Sequence, residues 1–378
     1  MPTRRQLLSV AGLLVGAAVT GCSVPAVPGV SGPVPRERVR GADLSFTLQT
    51  EAIGARYRDG GAPAPLERLL AARGANLVRL RAWVNPPAGY STLESALTLG
   101  RRAHDAGCDI LLDLHYSDFW ADQYSQSVPA VWAHQDLGRL AGTVRDYTRD
   151  AVAAFARQGT PLSMIQTGNE ITTGMLWPVG KVYERGHEQW DGFVRLLTAG
   201  LAGALDGATA PLETMVHIDR GGDNGGARYF YDAITARGVE FDLIGLSYYP
   251  FWHGSLDTLA ANLGDLAVRY GKDVLVVETS YPWTLRQADG TEYYAARLEE
   301  LPDAARFPAT PEGQAAYFEG LRTVVDGVPD GHGRGFVAWE PGWLPGVGWD
   351  HGEGNPYANL TMFDWTGTAL PSLAAFRA

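Results

Sequence analysis

The stretch "LSMIQTGNE", residues 162–170, opens on an apolar run and closes with an amide, Asn169, directly before a carboxylate, Glu170. A short strand that starts apolar and ends polar has a buried body and a functional end, because a buried polar group costs free energy unless it is paired. Seven other β-rich runs have the same form: "RGADLSF" (40–46), "ANLVRLRAWV" (75–84), "DILLDLHY" (109–116), "ETMVHID" (213–219), "FDLIGLSYY" (241–249), "DVLVVETS" (273–280) and "RGFVAWEP" (334–341). Between them lie Ala/Leu-rich helical patterns such as "LESALTLGRRAHDAG", "WDGFVRLLTAGLAGAL" and "LDTLAANLGDLAVRYG". Gly74, Gly107, Gly159, Gly238 and Gly271 stand where helices stop, ahead of the next strand. Eight strands alternating with helices predict a parallel sheet closed as a (β/α)8 TIM barrel, a single α/β domain over residues 40–378. A doubly wound open sheet is the alternative, but no Gly-rich dinucleotide turn follows the first strand.

The N-terminus reads differently. Arg4 and Arg5 precede the apolar "LLSVAGLLVGAAV", which is too short to span a bilayer, and small residues follow. Residues 1–21 are therefore expected to be a secretory signal of twin-arginine type. Val19-Thr20-Gly21-Cys22 resembles a lipobox, which makes Cys22 the expected lipidation site, and residues 22–39 form a Pro/Gly/Ser-rich linker. That leaves Cys108 without a disulfide partner and reads it as a small core residue. The expected location is extracellular, at the cell surface, with the lipid as the one membrane contact.

The net charge is −11, and removing Arg4 and Arg5 leaves 29 basic against 42 acidic residues, or −13. An acidic surface argues against nucleic acid as a partner.

In a barrel of this kind the chemistry sits at the C-terminal ends of the strands. Asp43 ends the first strand; Arg79, Arg81 and Trp83 share a face of the second by period two, as do Asp113 and His115 on the third. Asn169 and Glu170 end the fourth, His217 and Asp219 the fifth, Tyr249 the sixth, Glu278 the seventh, and Trp339 with Glu340 the eighth. Strands four and seven end opposite each other across a barrel mouth. Two glutamates there fit retaining glycoside hydrolysis, which needs one carboxyl as acid/base and one as nucleophile about 5 Å apart. Asn169 is expected at the sugar 2-OH, and the two arginines are expected to keep the nucleophile ionised. The competing structural role is a pair of salt bridges between the glutamates and Arg79 and Arg81.

There are 11 Trp, and eight lie in the βα loops: Trp83, Trp120, Trp132, Trp177, Trp252, Trp283, Trp343 and Trp349. Indole stacks on the apolar faces of sugar rings, so about half of these are expected to touch a polysaccharide. A catalytic metal is not expected, because Asp113 with His115 and His217 with Asp219 make pairs, and zinc needs three convergent ligands.

The segments "DLHYSDFWADQ", "TGNEITTGMLWPVG", "GLSYYPFW", "VVETSYPWT" and "FVAWEPGW" together resemble glycoside hydrolase family 53, the arabinogalactan endo-β-1,4-galactanases. "GADLS", "VRLRAWVNP" and "NLTMFDWTGTALPSLAAF" extend the resemblance over residues 40–378 in order. It implies a retaining endo-enzyme acting on β-1,4-galactan in pectin side chains, with Glu170 as acid/base and Glu278 as nucleophile. Asp113, His115, Asn169, Tyr249 and Trp339 match cleft positions, and Trp283 and Trp343 are added as aromatic rim candidates. The chemistry requires no cofactor. Bacterial members often carry a structural calcium in the loop after strand seven; here Asp289 fits a ligand position, but Thr291 and Tyr293 stand where stronger ligands belong. A monomer is expected. Two other readings stay open: another retaining β-glycanase (mannanase or glucanase), and a non-catalytic glycan-capture lipoprotein.

Overall fold

Eight parallel strands close on themselves in chain order in the computed structural model, which describes residues 37–378 except Ala88, Asp289, His351 and Gly352. They are β1 (Val39–Asp43), β2 (Leu77–Ala82), β3 (Asp109–Leu114), β4 (Met164–Thr167), β5 (Glu213–Ile218), β6 (Leu243–Ser247), β7 (Asp273–Thr279) and β8 (Gly333–Ala338), with β8 pairing back onto β1. β1 begins one residue inside the stretch read as linker. The signal segment, most of that linker, Cys22 and Asp289 lie outside the described residues.

Seven helices cover the strands: α1 (Leu66–Ala72), α2 (Leu93–Asp105), α3 (Leu137–Gln158), α4 (Trp190–Gly207), α5 (Asn224–Thr235), α6 (Leu256–Tyr270) and α7 (Pro311–Asp326). Their starts follow local chemistry. Thr92, Asp136, Asp223, Ser255 and Thr310 each accept a backbone N–H of the first turn, which satisfies a donor the helix cannot. All five glycines read as helix stops have positive φ. After β8 the eighth helix is reduced to a 3-10 turn, Pro371–Phe376. The helix Thr47–Ala52 and two short hairpins between β4 and α4 were not legible as elements in the sequence. α3 and α4 pack unusually close, because Gly203 has no side chain: a Cβ there would sit 2.2 Å from the Arg145 carbonyl oxygen.

The barrel interior has two storeys. The lower one is apolar: Val39, Leu77, Leu111, Met164, Met215, Leu243, Leu275, Val277 and Val337 form one buried cluster. Above it, toward the C-terminal ends of the strands, lie Asp43, Arg79, Asp113, Gln166, His217, Ser247 and Glu278, all buried; on β2 to β5 the step is two residues, and Glu278 reaches this level through a register shift in β7. Cys108 is buried and free, and burial pushes its thiol up to about 11, as suits a core residue.

Candidate active site

The upper storey is organised around one cation. Arg79 is 1% exposed, and its Nη1 donates to Asp43 Oδ2 at 2.7 Å. Its Nη2 lies 2.8 Å from Asp113 Oδ2, 2.9 Å from Asn169 Oδ1 and 2.8 Å from Glu278 Oε1. Three carboxylates around one guanidinium leave an excess of negative charge, which further hydrogen bonds from Ser45 to Asp43, from Gln166 and His115 to Asp113 and from Tyr249 to Glu278 offset. Replacing Arg79 by Met is expected to cost about 3–5 kcal/mol in urea unfolding, since buried carboxylates lose their partner; a loss under about 1 kcal/mol would contradict the central role of Arg79.

Neighbouring groups fix the protonation states. Burial disfavours charge on Asp113, but Arg79 and His115 outweigh it and hold the carboxyl at about 2. His115 Nδ1 accepts the Ala121 N–H (3.1 Å), so the ring proton sits on Nε2, facing Asp113 at 3.0 Å. Burial and Arg79 push His217 well below the usual imidazole range. Its Nδ1 accepts the Glu170 N–H at 3.3 Å and its Nε2 meets Ser247 Oγ at 2.8 Å.

Gly168 lets the chain leave β4 sharply. It has φ +92°, and a Cβ there would meet Ile171 at 2.6 Å. Glu170 follows at φ +46°, a conformation that costs a non-glycine residue about 1–3 kcal/mol and that clusters at functional sites. The turn lifts Glu170 into the cleft while Asn169 stays on the floor. Asn169 Oδ1 takes Arg79 and Gln166, and its Nδ2 donates to the Ala121 carbonyl at 2.9 Å.

The two glutamates have opposite surroundings. Glu278 has Arg79 on one oxygen and accepts the Tyr249 O–H on the other at 2.9 Å. Burial raises its pKa, and Arg79 and Tyr249 oppose the rise. Among the described residues no cation pairs with Glu170 in this way. Burial, Glu278 and Asp219 push it well above the ordinary 4.5, against one hydrogen bond from Ser247. At intermediate pH the geometry thus holds one protonated and one ionised carboxyl in the same cleft.

That cleft encloses about 700 Å³ and is lined by Arg79, Arg81, His115, Asn169, Glu170, Asp219, Tyr249, Glu278 and Trp339 of the expected set. Its walls are aromatic. Trp120, Trp339, Trp349 and Tyr357 pack together, and Tyr357 continues the contact to Tyr249, Trp252 and Tyr294, with Phe251 against Trp252.

Several expectations need correction. Asp43, Asp113, His217 and Trp83 are buried beneath the cleft and support residues that line it. Trp343 stacks on Phe46 (4.0 Å, 7°) and is also a support. Trp283 lies apart, against Trp365, because its backbone is tied to Asn359. Of the eight loop tryptophans, three line the cleft: Trp120, Trp252 and Trp349. Arg81 does not hold the nucleophile; its carboxylate neighbour is Glu340, at 3.4 Å. The salt-bridge role therefore applies to Glu278, through Arg79, and not to Glu170. Gln166, Asp122, Arg220, His253 and Tyr357 were not expected, although Gln166 stands in a quoted strand; Ser247, at the polar end of the sixth strand, meets His217.

Tyr293 is buried, its hydroxyl accepting the Ala288 N–H at 2.7 Å, and among the described residues no three His, Cys, Asp or Glu converge as a metal site. Asp289, the residue the calcium expectation rests on, lies outside the described residues, and no step depends on a metal ion.

With this geometry, the chain matches the family model "Glycosyl hydrolase family 53" over residues 39–376. The chain belongs to glycosyl hydrolase family 53. It is 45% identical over 345 residues to the "Uncharacterized protein in bgaB 5'region" of Niallia circulans, covering 90% of this chain and 93% of that one. It is 36% identical to the "Arabinogalactan endo-beta-1,4-galactanase" of Humicola insolens, covering 89% and 98%. The structure of the "Ignisphaera aggregans GH53 catalytic domain" superposes with a TM-score of 0.85 at 32% identity, over 93% and 99% of the chains. The protein is a glycoside hydrolase with the (β/α)8 fold of its family.

Proposed function

We propose that this protein is a retaining endo-β-1,4-galactanase that cleaves the galactan chains of type I arabinogalactan by double displacement. The observation that carries the mechanism is the electrostatic division between the two glutamates. Glu278, beside Arg79 and Tyr249, attacks the anomeric carbon as the carboxylate. Glu170, pushed up by burial and by neighbouring carboxylates, protonates the departing glycosidic oxygen. Glu170 then takes a proton from water, which attacks the glycosyl–Glu278 ester and releases the sugar. Asn169, held by Arg79 and Ala121, is positioned for the 2-OH. Choice of galactan rests on the Humicola insolens relative, named for that activity. An open, aromatic-walled cleft suits an endo-enzyme on a neutral polymer.

Residues 1–22 support export and a lipid anchor at Cys22, and no helix among the described residues is long and apolar enough to cross a membrane. Incubation with galactan, mannan, xylan and β-glucan, followed by sizing of the products, tests the substrate. Galacto-oligosaccharides from galactan are expected; release from mannan or glucan alone would favour another β-glycanase, and no release from any would favour glycan capture.

Tyr249→Phe gives a finer check on the nucleophile. Its hydroxyl donates to Glu278 and bonds the carboxylate more strongly than the neutral acid, so its loss raises the Glu278 pKa. The acid limb of kcat/KM is expected to move up by about 1 pH unit, and an unmoved limb would contradict the pairing.

A further inference from the structure

Glu340 lies two residues past the end of β8, 4% exposed, with its backbone in the left-handed region at φ +44°. No step of the double displacement uses it. A buried carboxyl in a strained conformation persists only when its surroundings over-determine it. Both Glu340 oxygens lie 3.2 Å from the Phe46 N–H, which they accept, and one lies 3.4 Å from Arg81 Nη1. The carboxyl also meets the Asp43 carboxyl within hydrogen-bonding reach. Asp43 is itself fixed: Oδ1 accepts the Ser45 N–H (3.0 Å) and hydroxyl (2.6 Å), while Oδ2 takes Arg79 Nη1 (2.7 Å). Arg79 Nη2 reaches Glu278. A continuous path of polar contacts thus runs from Glu340 through Asp43 and Arg79 to Glu278.

We propose that Glu340 is a positioning residue for the nucleophile: it anchors Asp43, Asp43 anchors Arg79, and Arg79 holds Glu278. Two carboxyls in contact share one proton. The ionisable groups facing Glu340 are Asp43 on β1, Arg81 on β2 and the Tyr57 phenol. Burial and Asp43 favour the neutral acid over the opposition of Arg81, so Glu340 donates its O–H to Asp43. Arg81 lies among aromatic faces, with its guanidinium carbon 4.2 Å from the Trp120 ring centroid and 4.8 Å from that of Phe46.

The inference rests on Glu278 as nucleophile, so wild-type enzyme is assayed first on the polysaccharide panel. Inactivity on galactan would retire the galactan reading, and the Glu340 variants would be measured on whichever glycan is cleaved. The test compares pH profiles of kcat/KM, with thermal unfolding alongside, for Glu340→Gln and Glu340→Asp. Glutamine keeps the length and offers an N–H to Asp43. Aspartate keeps the acid, is one methylene shorter, and tolerates the left-handed backbone. Glu340→Gln is expected within about 3-fold of wild type with its acid limb unmoved. Glu340→Asp is expected to lose about 10- to 100-fold, with the acid limb shifted to higher pH, because a loosened Arg79 makes Glu278 harder to ionise. A wild-type acid limb in Glu340→Asp, whatever its stability, would reduce Glu340 to a packing role and overturn the proposal. An acid limb moved to lower pH in Glu340→Gln would also overturn it, since that result requires a charged Glu340.

Discussion

Replacing Glu278 by glutamine is expected to lower kcat on galactan by about 10⁴-fold or more while the protein stays folded. The amide cannot form the glycosyl ester, so the double displacement loses its first step. The fold survives because Arg79 still faces Asp43 and Asp113 at 2.7 and 2.8 Å, and the amide oxygen of the introduced glutamine can still accept from Tyr249. Reducing-end release measures the turnover, and thermal unfolding controls for the fold. Turnover within about 10-fold of wild type would remove Glu278 from the nucleophile role.

The second large effect belongs to Glu170→Gln. General acid catalysis contributes about 10²- to 10⁴-fold, so kcat/KM on galactan should fall by that amount. An activated aryl glycoside, whose leaving group needs no proton, should suffer much less in the bond-breaking step. Wild-type kcat/KM should trace a bell. It falls on the acid side as the nucleophile takes a proton and on the alkaline side as the acid loses one, with the two apparent pKa values belonging to the coupled pair. Glu170 is pushed well above 4.5, and burial raises Glu278 against the pull of Arg79 and Tyr249, so the active window lies above ordinary carboxylate titration. In Glu170→Gln the alkaline limb should disappear. A bell of unchanged shape would assign that limb to another group.

Much of this site was legible because strand alternation is a strict code. Apolar runs that turn polar at one end located all eight barrel strands, and period two put Arg79 and Asp113 inward. Side chains that leave the strands obey no such code. Trp283 and Trp349 look equivalent in sequence, yet a backbone tie to Asn359 carries one away while the other packs against Trp120 at the cleft. Pairing across the barrel was also hidden. Arg79 and Arg81 are two residues apart on one face, but the first meets Glu278 and the second Glu340, because that choice depends on which strand ends come near. Gln166 was overlooked because a glutamine within a strand is unremarkable until its neighbours prove to be Asp113, Asn169 and His217.

The division of labour between Glu170 and Glu278 is tested most directly by proton NMR of products forming during digestion of β-1,4-galactan. Double displacement predicts that new reducing ends appear first as the β-anomer and only later equilibrate to α. Appearance of the α-anomer first would mean single displacement by water, and would contradict Glu278 as a nucleophile.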